Sequence, residues 1–240
     1  ARLSPAFELS ETALSVVLIT GALTAFLMGL LGLIQNDIKR VVAYSTLSQL
    51  GYMTAAMGAS AYAAGMFHVL THAFFKALLF LAAGSVIIAM HHIQDIRQMG
   101  GMRKYMPITY AAMLIGSLAL IGFPGFSGFF SKDSILLSLG ETDRAGATFA
   151  YVLLMAGVFI TAFYSFRMFF LVFHGEESEY VKTHEIKESP WVVTVPLILL
   201  AIPAAVMGIP MIEGMFNGQY FGDSIMILPE NDVMMQLYNN

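Results

Sequence analysis

The sequence contains no cysteine in its 240 residues. Disulfides, iron–sulfur clusters ligated by cysteine and thiol catalysis by this chain are therefore excluded. Charged residues make up only 12%, against about 25% in an ordinary soluble domain. The net charge of −4 gives no indication of nucleic-acid binding. Hydrophobic residues, by contrast, reach 58%, which indicates an integral membrane protein with the lipid bilayer as a partner.

Long apolar segments follow one another along most of the chain, and about 20 apolar residues are needed to cross a bilayer. They predict an all-α, polytopic transmembrane helix bundle of about six crossings. The chain begins without Met or a signal-peptide pattern, so we expect a fragment of a longer polytopic protein. The predicted spans are residues 12–34, 41–57, 63–90, 108–139, 147–173 and 191–212.

We group these spans into four regions. Residues 1–11 form the N-terminal end, on the outer side of the membrane. Residues 12–139 form a transmembrane core of four spans that holds the candidate site. Residues 140–212 hold two further spans and a cytoplasmic loop at 174–189, and residues 213–240 form an extramembrane acidic tail.

The fourth span is too long for one plain crossing and is interrupted by Gly122-Phe-Pro-Gly-Phe-Ser-Gly128. Proline removes a helix hydrogen bond and glycine relaxes the backbone. We therefore predict one broken helix here. Such breaks are tolerated in membranes only where protein or a water-filled cavity satisfies the freed backbone groups, and transporters place them near ion sites.

The basic residues in the loops are distributed unequally between the two faces of the predicted bundle. With six crossings, one face receives seven Lys and Arg residues and the other receives two, Arg2 and Arg144. The positive-inside rule places the richer face in the cytoplasm. The seven are Lys39, Arg40, Arg97, Arg103, Lys104, Lys182 and Lys187.

Lys76 lies near the middle of the third span, with His72 and His68 one and two turns before it. The spacing i, i+4, i+8 gives one polar stripe along an apolar helix. Titratable groups at this depth cost several kcal/mol and normally line a proton or ion pathway. Histidines four residues apart can also share a metal, but no Asp, Glu or Cys on that helix completes a site. The stripe favours proton transfer over metal binding.

Other polar groups have two open interpretations. Lys132 and Asp133 follow the helix break, either at an aqueous vestibule leading outward or as an ion pair at a helix end. Asp37, in the turn between the first two spans, is either positioned there by the helix ends or contributes to the pathway. Arg167, in the fifth span, either extends its side chain to the membrane surface or binds a partner group. Hydroxyl and amide groups in the second span either hold bridging waters or join helices; they belong to Tyr44, Ser45, Thr46, Ser48 and Gln49.

Four segments carry a family resemblance: IQNDIKRVVAYSTLSQLGYM, FHVLTHAFFKALLFLAAGSVI, QDIRQMGG and FPGFSGFFSKD. In this order they resemble the subunit L family of bacterial NADH:quinone oxidoreductase, respiratory complex I, whose mitochondrial counterpart is NADH dehydrogenase subunit five. The resemblance implies an antiporter-like half-repeat at the distal end of a membrane arm. It also implies proton-translocating roles for Lys76, His68, His72, Lys132, Asp133 and Asp37.

The resemblance further implies that the chain acts only as a subunit of the oxidoreductase and is inactive alone. No cofactor is expected in this chain, because NADH, FMN, iron–sulfur clusters and quinone would be bound by partner subunits. The implied partners are other membrane-arm subunits, and the implied location is the bacterial inner membrane rather than the mitochondrial one. Two alternatives stay open: a sodium/proton antiporter subunit of the multisubunit type, and a non-conducting scaffold of the membrane arm.

Overall fold

The structure is a computed structural model that describes residues 1–216 and 220–239. Over these residues it is helical and has no β-strand. The helices are α1 (Ser4–Phe7), α2 (Glu11–Ile34), α3 (Ile38–Gly58), α4 (Tyr62–Ala89), α5 (Pro107–Ile121), α6 (Ser127–Glu141), α7 (Ala147–Phe173), α8 (Glu179–Thr183), α9 (Trp191–Val206), α10 (Gly208–Phe216) and α11 (Val233–Asn239).

Each predicted span corresponds to one long helix or to a pair of helices. Helices α2, α4 and α7 are long and apolar enough to cross a membrane, and the pair α9–α10 is a fourth candidate. Helix α3 carries more polar groups, and α5 is apolar but shorter. The structure confirms an all-helical transmembrane bundle, whereas the division of the chain into four regions stays a prediction.

Helices α2 and α3 pack so closely that their backbones touch. A Cβ atom added at Gly21 or at Gly51 would overlap the backbone of the facing helix, at Ala55 and Ala25 respectively. Small residues at a helix interface allow this approach in membranes. The contact holds the polar helix α3 against α2. The hydroxyl groups of Ser45 and Ser48 and the amide group of Gln49, all on α3, are buried inside the bundle.

The predicted break in the fourth span is confirmed. Helix α5 ends at Ile121, the backbone turns through Gly122 in the left-handed region (φ 78°), and α6 begins at Ser127. Gly125 also has a positive φ of 91°. L-residues with a Cβ rarely adopt these angles, so the two glycines permit the turn.

The sixth span is also broken, which the sequence analysis did not predict. Helix α9 ends at Val206 and α10 begins at Gly208, with a bend of 47° between them. Pro203 lies in the last turn of α9 and removes a backbone hydrogen bond, which promotes the bend. Gly208 packs on α6, because a Cβ there would lie 2.8 Å from the Cα of Ser127. The α9–α10 break is therefore in contact with the α5–α6 break.

The loops gather at two ends of the bundle. At one end, which we call the basic end, the turn before α3 pairs with the α4–α5 loop through Asp37 and Asp95. The α4–α5 loop also contacts the loop after α7, where the N–H of Gly101 donates to the carbonyl of His174 at 3.0 Å. The seven basic loop residues named above lie in these loops and the ends of adjoining helices. This grouping matches the predicted division of loops between two faces.

The opposite end is closed by a polar cluster. The Arg144 side chain donates to the carbonyl of Gly58 at 2.6 Å and to the Glu11 carboxylate at 2.9 Å. Ser60 accepts a hydrogen bond from Arg144 at 3.0 Å and donates to Glu8 at 2.6 Å. These contacts join α2, the α3–α4 turn and the α6–α7 loop.

Candidate functional site

Lys76 and the two histidines lie inside the bundle, as the stripe on α4 predicts. All three side chains are buried between α4 and its neighbours. The Lys76 ammonium group reaches α3, where it contacts the Ser45 hydroxyl and donates to the carbonyl of Val42 at 3.3 Å. Lys76 is held by oxygen dipoles alone, since no ion pair among the described residues includes it.

His68 joins three helices. Its Nε2 lies 3.1 Å from the amide oxygen of Gln49 on α3, and its Nδ1 lies 2.9 Å from the hydroxyl of Ser131 on α6. Ser131 in turn lies 2.7 Å from the hydroxyl of Thr71. A hydroxyl can donate to a neutral imidazole or accept from a charged one by rotating its hydrogen. The environment of His68 thus accommodates both protonation states.

His72 lies beside His68, with 6.0 Å between the ring centroids, and its ring meets Phe75 edge-on at 5.3 Å. Its Nε2 is buried and has no hydrogen-bond partner among the described residues. An unpartnered buried polar atom costs about 1–3 kcal/mol. Such a cost is typical of a functional position, and it makes His72 the least well satisfied member of the stripe.

Lys132 is bound by the helix break itself. Its ammonium group donates to the carbonyl of Leu120, in the last turn of α5, at 2.9 Å. It also lies 5.1 Å from the centre of the Tyr52 ring, within the range of a cation–π contact. The last carbonyls of a helix have no partner within the helix and carry partial negative charge. The break therefore supplies an uncharged binding position for a cation inside the bundle.

These groups form a buried row of four titratable side chains: His68, His72, Lys76 and Lys132. No carboxylate of the described residues forms an ion pair with either lysine. Like charges in a low-dielectric interior repel strongly, so a proton on one member disfavours a proton on the next. The arrangement can move positive charge along the row if protonation at one position releases a proton at another.

Asp133 and Asp37 do not join this row. Asp133 is exposed whereas Lys132 is buried, and the two form no ion pair in the described structure. Asp37 caps the N-terminus of α3 at the basic end by accepting the backbone N–H of Arg40 at 2.9 Å. Arg167 is bound to the same turn, with 2.8 Å to the carbonyl of Gln35.

Ser131, Thr71 and Tyr52 are further members of the site that the sequence pattern did not indicate. Ser131 and Ser127 are four residues apart and share a face of α6, so the spacing offered a signal. Tyr52 offered none, because its position under Lys132 depends on the packing of α3 against α6. Its hydroxyl donates to the carbonyl of Leu154 on α7 at 2.6 Å, which fixes the ring.

A helical membrane bundle with buried lysines and a broken helix defines the class of antiporter-like transmembrane subunits. The family model described as NADH:quinone oxidoreductase/Mrp antiporter, TM, matches residues 1–163. The chain belongs to this family.

Curated relatives are similar over nearly the whole chain. NADH-quinone oxidoreductase subunit L of Neisseria meningitidis serogroup A is 58% identical, over 94% of this chain and 36% of its own length. NADH-ubiquinone oxidoreductase chain 5 of Marchantia polymorpha is 45% identical, over 98% of this chain and 36% of its own length. The chain thus spans about a third of the length of these relatives.

Two solved structures share the fold. A chain of the Mrp complex from Dietzia sp. DQ12-45-1b superposes with a TM-score of 0.72 at 18% identity, over 95% of this chain and 48% of its own. A chain of the membrane-bound sulfane sulfur reductase, an archaeal respiratory membrane complex, gives 0.73 at 27% identity, over 82% and 32%. The relatives and structural neighbours are parts of multisubunit membrane complexes.

Proposed function

We propose that this chain is part of a proton-translocating, antiporter-like membrane-arm subunit of NADH:quinone oxidoreductase. The observation that carries the proposal is the buried row His68, His72, Lys76 and Lys132, which lies inside an apolar bundle beside a helix break. The family and the names of the relatives support the same function. The whole subunit translocates protons when redox energy released in the complex changes the charge at one end of the row.

Each member of the row has a distinct part. Lys76, held by Ser45 and the Val42 carbonyl, is the central proton carrier. His68 and His72 pass protons along α4, because imidazole titrates near neutral pH and has two distinct nitrogens. Lys132 releases protons outward from the break. Asp133 and Asp37 contribute from outside the row. Asp133 lies on the exposed face of α6, and Asp37 caps the N-terminus of α3 in the turn after α2.

The electron chemistry belongs to partners. NADH, FMN, iron–sulfur clusters and quinone bind to other subunits, and this chain contributes no cofactor ligand. Its protein partners are other membrane-arm subunits. The complex lies in the bacterial inner membrane with the basic end in the cytoplasm, supported by the clustering of seven basic residues there.

The test replaces all four members of the row together in the full-length subunit. With His68→Gln, His72→Gln, Lys76→Met and Lys132→Met, we expect an assembled complex that pumps no protons in membrane vesicles. A matched variant with four exposed substitutions that keep the positive charge, Lys39→Arg, Lys104→Arg, Lys182→Arg and Lys187→Arg, retains pumping. Normal pumping by the first variant would favour the non-conducting scaffold.

Sodium dependence separates the proposal from a sodium/proton antiporter. Sodium prefers oxygen ligands, and the row offers only neutral carbonyl and hydroxyl oxygens beside lysines. Proton translocation by the complex should therefore be unchanged when sodium is replaced by potassium. A strict requirement for sodium would support the antiporter alternative.

A further inference from the structure

The phenol group of Tyr164 lies unpaired inside the bundle. Tyr164 is on α7 and is almost fully buried, and its hydroxyl makes no hydrogen bond among the described residues. Its ring packs against α2, where a Cβ added at Gly32 would lie 3.4 Å from Cδ1 of Tyr164. A phenylalanine would fill the same space without burying an unpaired hydroxyl, which costs stability. Packing alone therefore does not explain the hydroxyl.

Two other hydroxyl groups face the phenol of Tyr164. One belongs to Ser45 on α3, and the other belongs to Thr161, one turn earlier on α7. The Ser45 hydroxyl already donates to the carbonyl of Val42 at 2.8 Å. The Thr161 hydroxyl already donates to the carbonyl of Gly157 at 2.7 Å. A hydroxyl has one hydrogen and two acceptor lone pairs, so Tyr164 can act only as the donor towards either group.

Ser45 is also the hydroxyl that receives Lys76. The Lys76 ammonium group contacts the Ser45 oxygen from α4, while Tyr164 approaches the same side chain from α7. A hydrogen bond from a charged donor is roughly twice as strong as one from a neutral donor. The ammonium group of Lys76 therefore takes the Ser45 oxygen in preference to the phenol. This order explains why Tyr164 is unpaired here although an acceptor lies beside it.

We propose that Tyr164 is a positioning residue for Lys76, which donates to Ser45 in place of the ammonium group when Lys76 gives up its proton. The proposal rests on the proton-translocating function proposed above and adds a residue to it. The hydrogen bond gained by Tyr164 stabilises the state in which Lys76 is neutral. Tyr164 keeps its own proton throughout, and the proton from Lys76 passes to the buried row.

The hydroxyl of Tyr164 is one of several titratable groups near Lys76, and the others stay in place when it is removed. They lie on α4, α6 and α3 and are His68, His72, Lys132 and Tyr52. The Tyr52 hydroxyl is fixed separately by the carbonyl of Leu154. A change in pH dependence after Tyr164→Phe therefore reports the missing phenol hydroxyl.

The primary experiment measures pumping and NADH oxidation by the intact complex with Tyr164→Phe between about pH 6 and about pH 9. We expect both rates to fall about three- to tenfold at neutral pH, the factor that one hydrogen bond contributes. The loss should shrink as the pH rises, because Lys76 then releases its proton without the additional donor. The pH profile should therefore move by about half a unit to one unit towards alkaline pH.

Tyr151→Phe is the matched control. Tyr151 lies on the same helix, about 20 Å nearer the opposite end, where its ring faces Gly140. This variant should keep the wild-type rate and pH profile. The unfolding midpoint of Tyr164→Phe should equal or exceed that of the wild type, because only an unpaired hydroxyl is removed. A slower but equally stable complex separates positioning of Lys76 from a packing role.

A double variant tests whether Tyr164 acts through Ser45. In a Ser45→Ala complex the shared acceptor is already absent, so adding Tyr164→Phe should change neither the residual rate nor the pH profile further. Additive effects of the two substitutions would overturn the proposed connection. A wild-type rate or a wild-type pH profile in Tyr164→Phe alone would overturn the positioning role.

The outcome for Tyr164 is separate from the outcome for the row. If Tyr164→Phe behaves as the wild type while Lys76→Ala does not pump, the positioning role is wrong and proton translocation by the row stands. If Lys76→Ala pumps normally, the proposed function fails, and the role of Tyr164 fails with it.

Discussion

Ser127, in the first turn of α6, donates its hydroxyl proton to the carbonyl of Ala204 in α9 at 2.6 Å. Ala204 is near the end of α9, where the bend at Met207 leaves backbone carbonyls without helix partners. The hydrogen bond therefore satisfies one broken helix with a side chain from the start of another. Lys132, five residues after Ser127, donates to the carbonyl of Leu120 across the break between α5 and α6. The position of the buried cation depends on both breaks.

Removing the Ser127 hydroxyl should loosen this junction. We expect Ser127→Ala to destabilise the full-length subunit by about 1–2 kcal/mol, because the Ala204 carbonyl loses its buried donor. The unfolding midpoint of the solubilised complex measures the change. Ser134→Ala is the matched control, since Ser134 donates only to Phe130 of its own helix and its removal should cost little. Equal effects of the two variants would contradict a special role for the junction.

A methyl group at Gly128 should separate α6 from α5. Its Cβ would overlap the carbonyl of Ala119, and backbone cannot move aside as a flexible side chain can. We expect Gly128→Ala to cost roughly 1–3 kcal/mol or more and to reduce assembly of the complex. Gly140→Ala in the same helix meets only Tyr151, at 3.9 Å, and should assemble normally. Assembly of the complex in membranes, compared between the two variants, checks the prediction.

Replacing His72 by methionine should separate stability from function. The change removes the unpartnered Nε2, and methionine adapts its shape to a buried site. We therefore expect unchanged or slightly higher stability, by up to about 1 kcal/mol, together with slower proton pumping. Thermal unfolding and pumping are measured on the same preparation. Full pumping by His72→Met would assign His72 to packing alone.

The cluster at the opposite end should respond to acid through Glu8. Burial raises the pKa of this carboxyl, but hydrogen bonds from Ser60, Asn231 and Tyr62 outweigh it and hold the pKa below its ordinary value of 4.5. The folded state therefore binds the proton less readily than the unfolded state. The stabilisation is complete above the ordinary value and is lost as the pH falls through the folded pKa.

The measurement is the unfolding midpoint of the full-length subunit between about pH 6 and about pH 3. The midpoint should fall with pH in the wild type and fall less steeply in Glu8→Gln. Glu141→Gln, at the exposed end of α6, should behave as the wild type. An unchanged pH dependence in Glu8→Gln would remove Glu8 from the account.

The sequence predicted those features that depend on local chemistry. The length of the apolar run predicted α7 at its observed bounds, Ala147–Phe173. The glycines and the proline of the segment from Gly122 to Gly128 predicted the break before Ser127. The break at Met207 escaped because Pro203 and Gly208 lie within a strongly apolar run, whose length dominated the interpretation. Pro203 and Gly208 were nevertheless visible in the sequence as residues that favour a helix break.

Contacts between distant helices could not be predicted in the same way. His68 meets Ser131 across 63 residues of sequence, and Lys132 lies over the ring of Tyr52 on another helix. Neither pairing follows from periodicity, since both depend on how α3, α4 and α6 pack. The stripe on α4 predicted that the titratable groups share a face, but it did not indicate which carbonyls and hydroxyls receive them.

The most direct test of the account is proton pumping in membrane vesicles that carry the full-length subunit with Lys76→Ala, with assembly and NADH oxidation measured on the same membranes. Lys182→Ala, an exposed lysine at the basic end, is the control. The account predicts normal assembly, loss of pumping and much reduced NADH oxidation for Lys76→Ala, with the control unchanged. Unchanged pumping in a well-assembled Lys76→Ala complex would contradict it and reduce the buried row to packing.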